Sequence, residues 1–313
     1  MQTTRAPVMD GRAWAMLLAL SVLWGGSFFF FKILVASLPP FTVVLGRVGF
    51  AAVALNLWLL ARRDYMPRNS RLWAAFAVMG LLNNVIPFSL IVFGEMRISS
   101  GLASILNATT PIFGVLAAHV FTTNEKLTRA RVAGVLFGFA GVIVLAGPGA
   151  GIARSDLLAL AALLAASLTY ALAGIYGRRF KGIAPLKVAT GQITASTIIL
   201  APLSLAIDHP WTLPVPGASV WLAFAGIAFI STALAYVLYF KILAVAGPTN
   251  LLLVTFLLPI SAMTLGVLFL GESVSYRTMV GMVLIGAGLV AIDGRPLQTL
   301  TERSRLRRLR PNE

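Results

Sequence analysis

Ten apolar segments of roughly the 20 residues that cross a bilayer as an α-helix recur along the chain. They fall at about 13–35, 41–61, 72–93, 98–121, 130–147, 156–177, 185–207, 218–240, 247–270 and 277–293. No other feature constrains the fold as much, because backbone polar groups in lipid are satisfied only within helices or closed barrels. The runs are continuous rather than alternating, which excludes barrel strands. Composition agrees: 58% of the 313 residues are hydrophobic and 11% charged, with a mean hydropathy of +0.90, more apolar than one soluble core can hide. The expectation is an all-α membrane protein of ten transmembrane helices. The first run follows Arg5 and Arg12, as a signal peptide's would, but it is long, contains Phe28 to Phe31 and lacks a small-residue cleavage site, so it reads as a retained span.

Several function classes fall away on the residue census. The chain has no cysteine, and its two histidines are His119 and His209, so no metal cluster is expected. Paired catalytic carboxylates, Ser-His-Asp sets and phosphate loops are missing, which argues against an enzyme and leaves no cofactor to expect. A net charge of +15 would suit nucleic acid, but the basic residues sit in short loops between apolar runs, with no soluble surface to carry a basic face. The expected partners are the lipid bilayer and a small-molecule substrate, not nucleic acid, for a chain acting as monomer or homodimer.

Lysine and arginine fix the orientation. With a cytoplasmic N-terminus, twenty of them fall in inside segments and only Lys32, Arg97, Arg154 and Arg277 outside, with Arg47 left within a span. Both termini are therefore expected in the cytoplasm. The basic tail at 294–313 reads either as a topology determinant or as an anionic-lipid or regulatory patch.

An internal repeat organises the chain as 13–147 and 156–293. TPIFGVLAAHVFTTNEKL (110–127) is similar to LPISAMTLGVLFLGESV (258–274), with Pro111 opposite Pro259 and Glu125 near Glu272. Glycines follow each Glu in step, Gly134 and Gly141 against Gly281 and Gly288. Each half holds five spans. Five is odd, so the second half enters the membrane inverted relative to the first, as in alternating-access carriers.

Aligning the halves pairs polar and aromatic residues at matching depth: Asn83 with Ser231, Asn84 with Thr232, Phe88 with Tyr236, Asn107 with Thr255, and Trp24 with Tyr170. The prolines sharpen this pattern, because each removes one helical hydrogen bond and frees the carbonyl four residues earlier. That carbonyl belongs to Asn83 for Pro87, to Asn107 for Pro111 and to Thr255 for Pro259. Freed backbone at membrane depth is tolerated where it faces protein or a water-filled cavity. These residues, with Phe28, form the candidate substrate site, and the three prolines the candidate helix kinks. Interhelical packing glue is the alternative for each amide and hydroxyl. The glycines of the fifth and tenth spans, including GVLFG at 134–138, read as close packing, within the chain or in a dimer. Arg47, whose counterpart is Gln192, either binds a carboxylate or pairs with backbone carbonyls. Every acidic residue falls in a loop or at a span end, which argues against a buried proton relay; Glu125 and Glu272 read as caps or as gate contacts.

WGGSF (24–28), the two Pro-to-Glu stretches and the glycine-rich helices after them resemble the EamA-type transporters of the drug/metabolite transporter superfamily, over about 13–293. The resemblance implies two inverted five-helix halves around a central cavity, in a bacterial inner membrane. It further implies export of amino acids, other metabolites or drugs, with the YddG-like aromatic amino-acid exporters as near relatives. On this reading the chain exports small neutral or zwitterionic metabolites, best amino acids; a multidrug exporter or a non-transporting receptor is the alternative. The chain departs from symmetry at Tyr170-Ala171, where the first half has Trp24-Gly25.

Because the chain lacks cysteine, orientation is directly measurable. A single cysteine at Arg97 is expected to react with a membrane-impermeant maleimide in intact cells, and one at Arg63 only after permeabilisation; the reverse pattern would invert the topology.

Overall fold

A computed structural model describes residues 10–122, 127–146, 156–251 and 253–293. Among the described residues there is no strand. Eight helices are long and apolar enough to cross a membrane: α1 (Gly11–Val35), α2 (Pro40–Ala61), α3 (Ser70–Glu95), α4 (Ser100–Phe121), α5 (Arg129–Ala146), α6 (Leu157–Phe180), α7 (Pro185–Asp208) and α8 (Ala218–Leu243). Two shorter apolar helices follow, α9 (Val254–Leu270) and α10 (Tyr276–Ile292). The span expected at 247–270 starts later than its hydropathy suggests, because the helical backbone of α8 runs on to Leu251. Glu125, Arg154 and the basic tail lie outside the described residues.

Local chemistry sets several helix starts. Asp10 Oδ1 accepts from Ala13 N at 2.7 Å and Ser99 Oγ from Leu102 N at 3.2 Å, each satisfying a donor that has no partner within the helix. Pro40 opens α2, where a missing N–H costs nothing. Interruptions inside helices are few and placed. α3 widens to a π-turn at Leu81–Val85, just before Pro87, and α8 does so at Gly226–Leu234. Shifted by the repeat offset, the first π-turn falls within the second. α4 breaks at Ala108–Thr109, so that Pro111 stands in the first turn of its second piece. α9 runs unbroken through Pro259.

Helices of the first half pack mainly on helices of the second: α1 along α9, α2 along α7 and the π-turn of α8, α3 and α4 along α6. One large apolar core joins them, from Phe28, Phe31 and Leu34 on α1 through Val44 and Val48 on α2 to Ile193 on α7 and Ile227 on α8. At the end of the bundle where α1 finishes, called the far end, two carboxylates of the second half cap helices of the first. Asp208 Oδ2 accepts from Thr42 N and Oγ1 at 2.6 and 2.9 Å. Glu272 accepts from Ser100 N and Oγ, both at 2.8 Å, and from Gly101 N at 3.2 Å. Both meet the positive, unsatisfied start of a helix, where an anion is favoured. Of the two readings open for Glu272, the cap is the one observed. At the opposite, near end, the halves meet through the Lys187–Asp64 ion pair at 2.6 Å.

α5 and α10, the last helix of each half, lie against each other at the side. A Cβ at Gly134 would stand 2.6 Å from the Gly288 carbonyl oxygen, and one at Gly141 2.8 Å from that of Gly281. Neither gap admits a side chain, so the GxxxG pattern is an intramolecular seam. Gly141→Leu is therefore expected to lower the thermal midpoint of the purified protein, by overpacking worth about 1–3 kcal/mol. Gly286→Leu, with nothing within 4 Å of its Cβ position, is expected to leave the midpoint unchanged.

Candidate functional site

The polar interior is built around Arg47, whose guanidinium is buried where α1, α2, α3 and α8 meet. It lies 3.8 Å from the Phe88 ring centre and 4.9 Å from that of Phe31. Nε donates to Thr232 Oγ1 at 3.3 Å and Nη2 to Ser27 Oγ at 3.4 Å. Both hydrogen bonds are longer than the usual N–H···O range, and they engage two of the five guanidinium donors. An arginine at mid-helix costs about 2.5–3.5 kcal/mol on insertion scales, and a desolvated cation–π contact returns about 2 kcal/mol. The aromatic faces thus offset much of the burial cost, while the donors remain poorly used. No carboxylate pairs with Arg47 among the described residues.

A second chain of contacts adjoins the first. Asn83 Nδ2 donates to Gln192 Oε1 at 3.1 Å, and Gln192 Nε2 donates to the Tyr236 hydroxyl at 3.4 Å. Tyr170 meets Phe88 edge to face at 6.5 Å, and both Tyr170 and Tyr236 are electrostatic neighbours of Arg47. Gln192, the repeat partner of Arg47, thus reaches Tyr236 from α7, while Arg47 on α2 is an electrostatic neighbour of the same hydroxyl. Thr232 Oγ1, besides accepting from Arg47, donates to the Ile227 carbonyl at 2.7 Å, a bond that reaches five residues back across the π-turn. The π-turn thereby frees this carbonyl and aims Thr232 at the guanidinium, as expected of π-bulges at functional positions.

Of the residues singled out in the sequence, Asn83, Phe88, Tyr170, Thr232 and Tyr236 thus gather around Arg47. Others lie elsewhere. Asn84 is fully buried and turns to α7, donating to Ser196 Oγ at 3.1 Å, with its Oδ1 unpartnered. Trp24 stacks obliquely on Tyr239 at 5.7 Å, and Phe28 is packed in the apolar core. Ser231 Oγ lacks a partner and borders a cleft of about 300 Å³ whose other lining, including Val22, Phe29, Phe30 and Phe269, is almost wholly apolar. Thr255 is half-buried in the first turn of α9.

The break before Pro111 is repaired by hydroxyls: Thr110 Oγ1 donates to the Asn107 carbonyl at 2.7 Å, and Ser167 Oγ reaches the carbonyls of Leu106 and Asn107 at 3.1 and 3.4 Å. The freed backbone there is spent on protein, but Asn107 Oδ1 remains buried without a partner. Ser27, Phe31 and Ser196 escaped the sequence reading because serine and phenylalanine in an apolar run carry no distinguishing signal. A further correction concerns Glu95. Although it stands at the end of α3, as its position predicts, it is fully buried, and neither carboxylate oxygen has a hydrogen-bond partner.

Comparison with known proteins gives this arrangement its context. A model of the EamA-like transporter family matches residues 12–147 and again 157–292. A probable terminal-alkyne amino-acid exporter of Streptantibioticus cattleyicolor is 30% identical, over 93% of this chain and 96% of that protein. The uncharacterized transporter YoaV of Bacillus subtilis is 24% identical, covering 87% and 94%, and the uncharacterized inner membrane transporter YedA of Escherichia coli K12 is 26% identical, covering 83% of each. A solved crystal structure aligns with a TM-score of 0.65 over 90% of this chain and 96% of its own, at 20% identity, a likeness of fold alone. The chain is a multi-span membrane protein and belongs to the EamA-like transporter family.

Proposed function

We propose that the chain exports amino acids with aromatic or other hydrophobic side chains across a bacterial inner membrane, by alternating access about the Arg47 centre. The two halves would act as inverted five-helix repeats with both termini cytoplasmic, which makes the far end the outer face. The observation that carries the substrate class is Arg47 itself. A buried guanidinium with weakly used donors and no carboxylate partner among the described residues suits the carboxylate of a ligand. Phe31, Phe88 and Tyr170 provide an apolar wall beside it, and the Asn107 amide oxygen is an unspent acceptor suited to an ammonium. A relative named as a probable amino-acid exporter supports the same class.

On this reading the Asp208 and Glu272 caps, partly buried and each holding a helix start, close the outer face, whereas the inner face is held by the half-exposed Lys187–Asp64 pair together with an apolar cluster of Phe76, Phe180 and Ala195.

The test is counterflow of labelled phenylalanine, leucine and alanine into preloaded proteoliposomes. The native protein is expected to accumulate the first two, and Arg47→Gln to lose at least about tenfold in rate, equivalent to about 1.4 kcal/mol, with folding intact. Arg47→Lys, which keeps charge but not the planar fork, is expected to recover only part of that rate. Absence of flux for every amino acid would exclude the substrate class in favour of drugs or other metabolites. Flux undiminished in Arg47→Gln would return Arg47 to packing. Asn84→Ala is expected to act on stability rather than rate, because Asn84 faces Ser196.

A further inference from the structure

Glu95 makes no hydrogen bond or ion pair with Arg47, although the two are electrostatic neighbours, and it is fully buried at the far end of α3, two helical turns beyond Phe88. Charged groups approach it from three elements. α1 brings Lys32, whose Nζ donates not to the Glu95 carboxylate but to the backbone carbonyls of Glu95 and Ile98, at 2.7 and 2.8 Å. α2 brings Arg47, and the connection after α9 brings Glu272, whose carboxylate is spent on the start of α4. α6 packs against the adjoining Gly94 with Leu163 and the Ala159 carbonyl, and offers no charge there. Neither oxygen of the Glu95 carboxylate finds a donor, and no cation pairs with it among the described residues. An ionised carboxylate is not left in such a place, because nothing replaces the water it has lost.

We propose that Glu95 is a proton-binding site and that the far end of the bundle seals only over its protonated form. The inference rests on the transport reading given above. With the far end sealed, the side chain is the neutral acid, –COOH. When the Glu272 and Asp208 caps release α4 and α2, water reaches Glu95 and the proton passes to it, leaving –COO⁻ and a hydronium ion on the outer side. Sealing reverses this step: a proton from the outer solution returns to the carboxylate before burial. Each closure therefore takes up one proton from outside, and the return step of the carrier becomes sensitive to outer pH. Between the substrate centre and the outer caps, this is where such a control acts on closure without touching the substrate.

Two measurements test this. Infrared pH-difference spectra of the purified protein in lipid, which need no substrate, are expected to show a carboxylic-acid carbonyl band that Glu95→Gln removes. No such band, or a band that persists in the variant, overturns the proposal. In proteoliposomes of uniform orientation exchanging labelled phenylalanine, native counterflow is expected to fall as outer pH rises. The fall approaches about tenfold per pH unit once the open-state carboxyl is ionised. Glu95→Gln, isosteric with the neutral acid, is expected to keep counterflow within about twofold of the native acid-side rate and to lose the pH dependence, whereas Glu95→Asp retains it. Counterflow independent of outer pH in the native protein, or equally dependent in Glu95→Gln, overturns the proposal while leaving transport standing. Absence of phenylalanine flux at any pH would fall on the transport reading, and the infrared band would still decide the proton site. Loss of folded Glu95→Gln while Glu95→Asp accumulates would show that the charge itself is required, and would overturn the proposal as well.

Discussion

Lipid offers the backbone no hydrogen bonds, and that single constraint shapes everything else in this bundle. Helix is the answer along most of the described residues, and the departures at Pro87, Pro111 and Gly226–Leu234 are matched by repairs. Where Pro111 interrupts α4, the hydroxyls of Thr109, Thr110 and Ser167 take the carbonyls that the break releases. Where Pro87 lacks its N–H, the preceding turn of α3 widens and sets Asn83 and Asn84 on different neighbours, one reaching Gln192 and the other Ser196. In α8 the wide turn passes a carbonyl to Thr232, which then meets Arg47. Irregular backbone and polar side chains thus share positions for one reason: both are costly in hydrocarbon, and each relieves the other.

The same reasoning explains why one cation is central. A guanidinium between aromatic faces is less costly than one among aliphatic side chains, since ring quadrupoles replace part of its hydration. That leaves its directional donors available, and a ligand able to accept them gains more in a water-poor interior than it would at a surface. The helices that meet there come from both halves, so any displacement of one half against the other would alter the geometry of the centre itself. A rigid scaffold carrying its binding residues on one half would lack that dependence.

Much of the architecture is readable from run length and small residues. Ten apolar runs predict a multi-pass helical chain, and the glycine spacing of 134–141 and 281–288 marks a close seam, because close approach admits only a missing side chain. The three prolines locate the amides but not their partners. Asn83 and Asn84 are adjacent in sequence and indistinguishable by composition, yet a π-turn sends them to different neighbours. Glu95 was hidden by arithmetic of another kind. A carboxylate at the end of an apolar run normally reaches water, and only the packing of the connections above it decides that this one does not. Likewise the boundary between α8 and α9 lies beyond hydropathy, which dips at Gly247 to Asn250 although the helix runs on to Leu251.

The α5–α10 seam carries a genetic consequence. Any single-nucleotide change in a glycine codon that alters the amino acid installs a larger residue, and at Gly134, Gly141, Gly281 and Gly288 the space for even one carbon is already occupied by a facing backbone or side chain. Inactivating missense variation should accordingly form a stripe along this flank of the molecule, away from the Arg47 centre. A map of intolerant positions would then outline this seam as sharply as it outlines the polar interior.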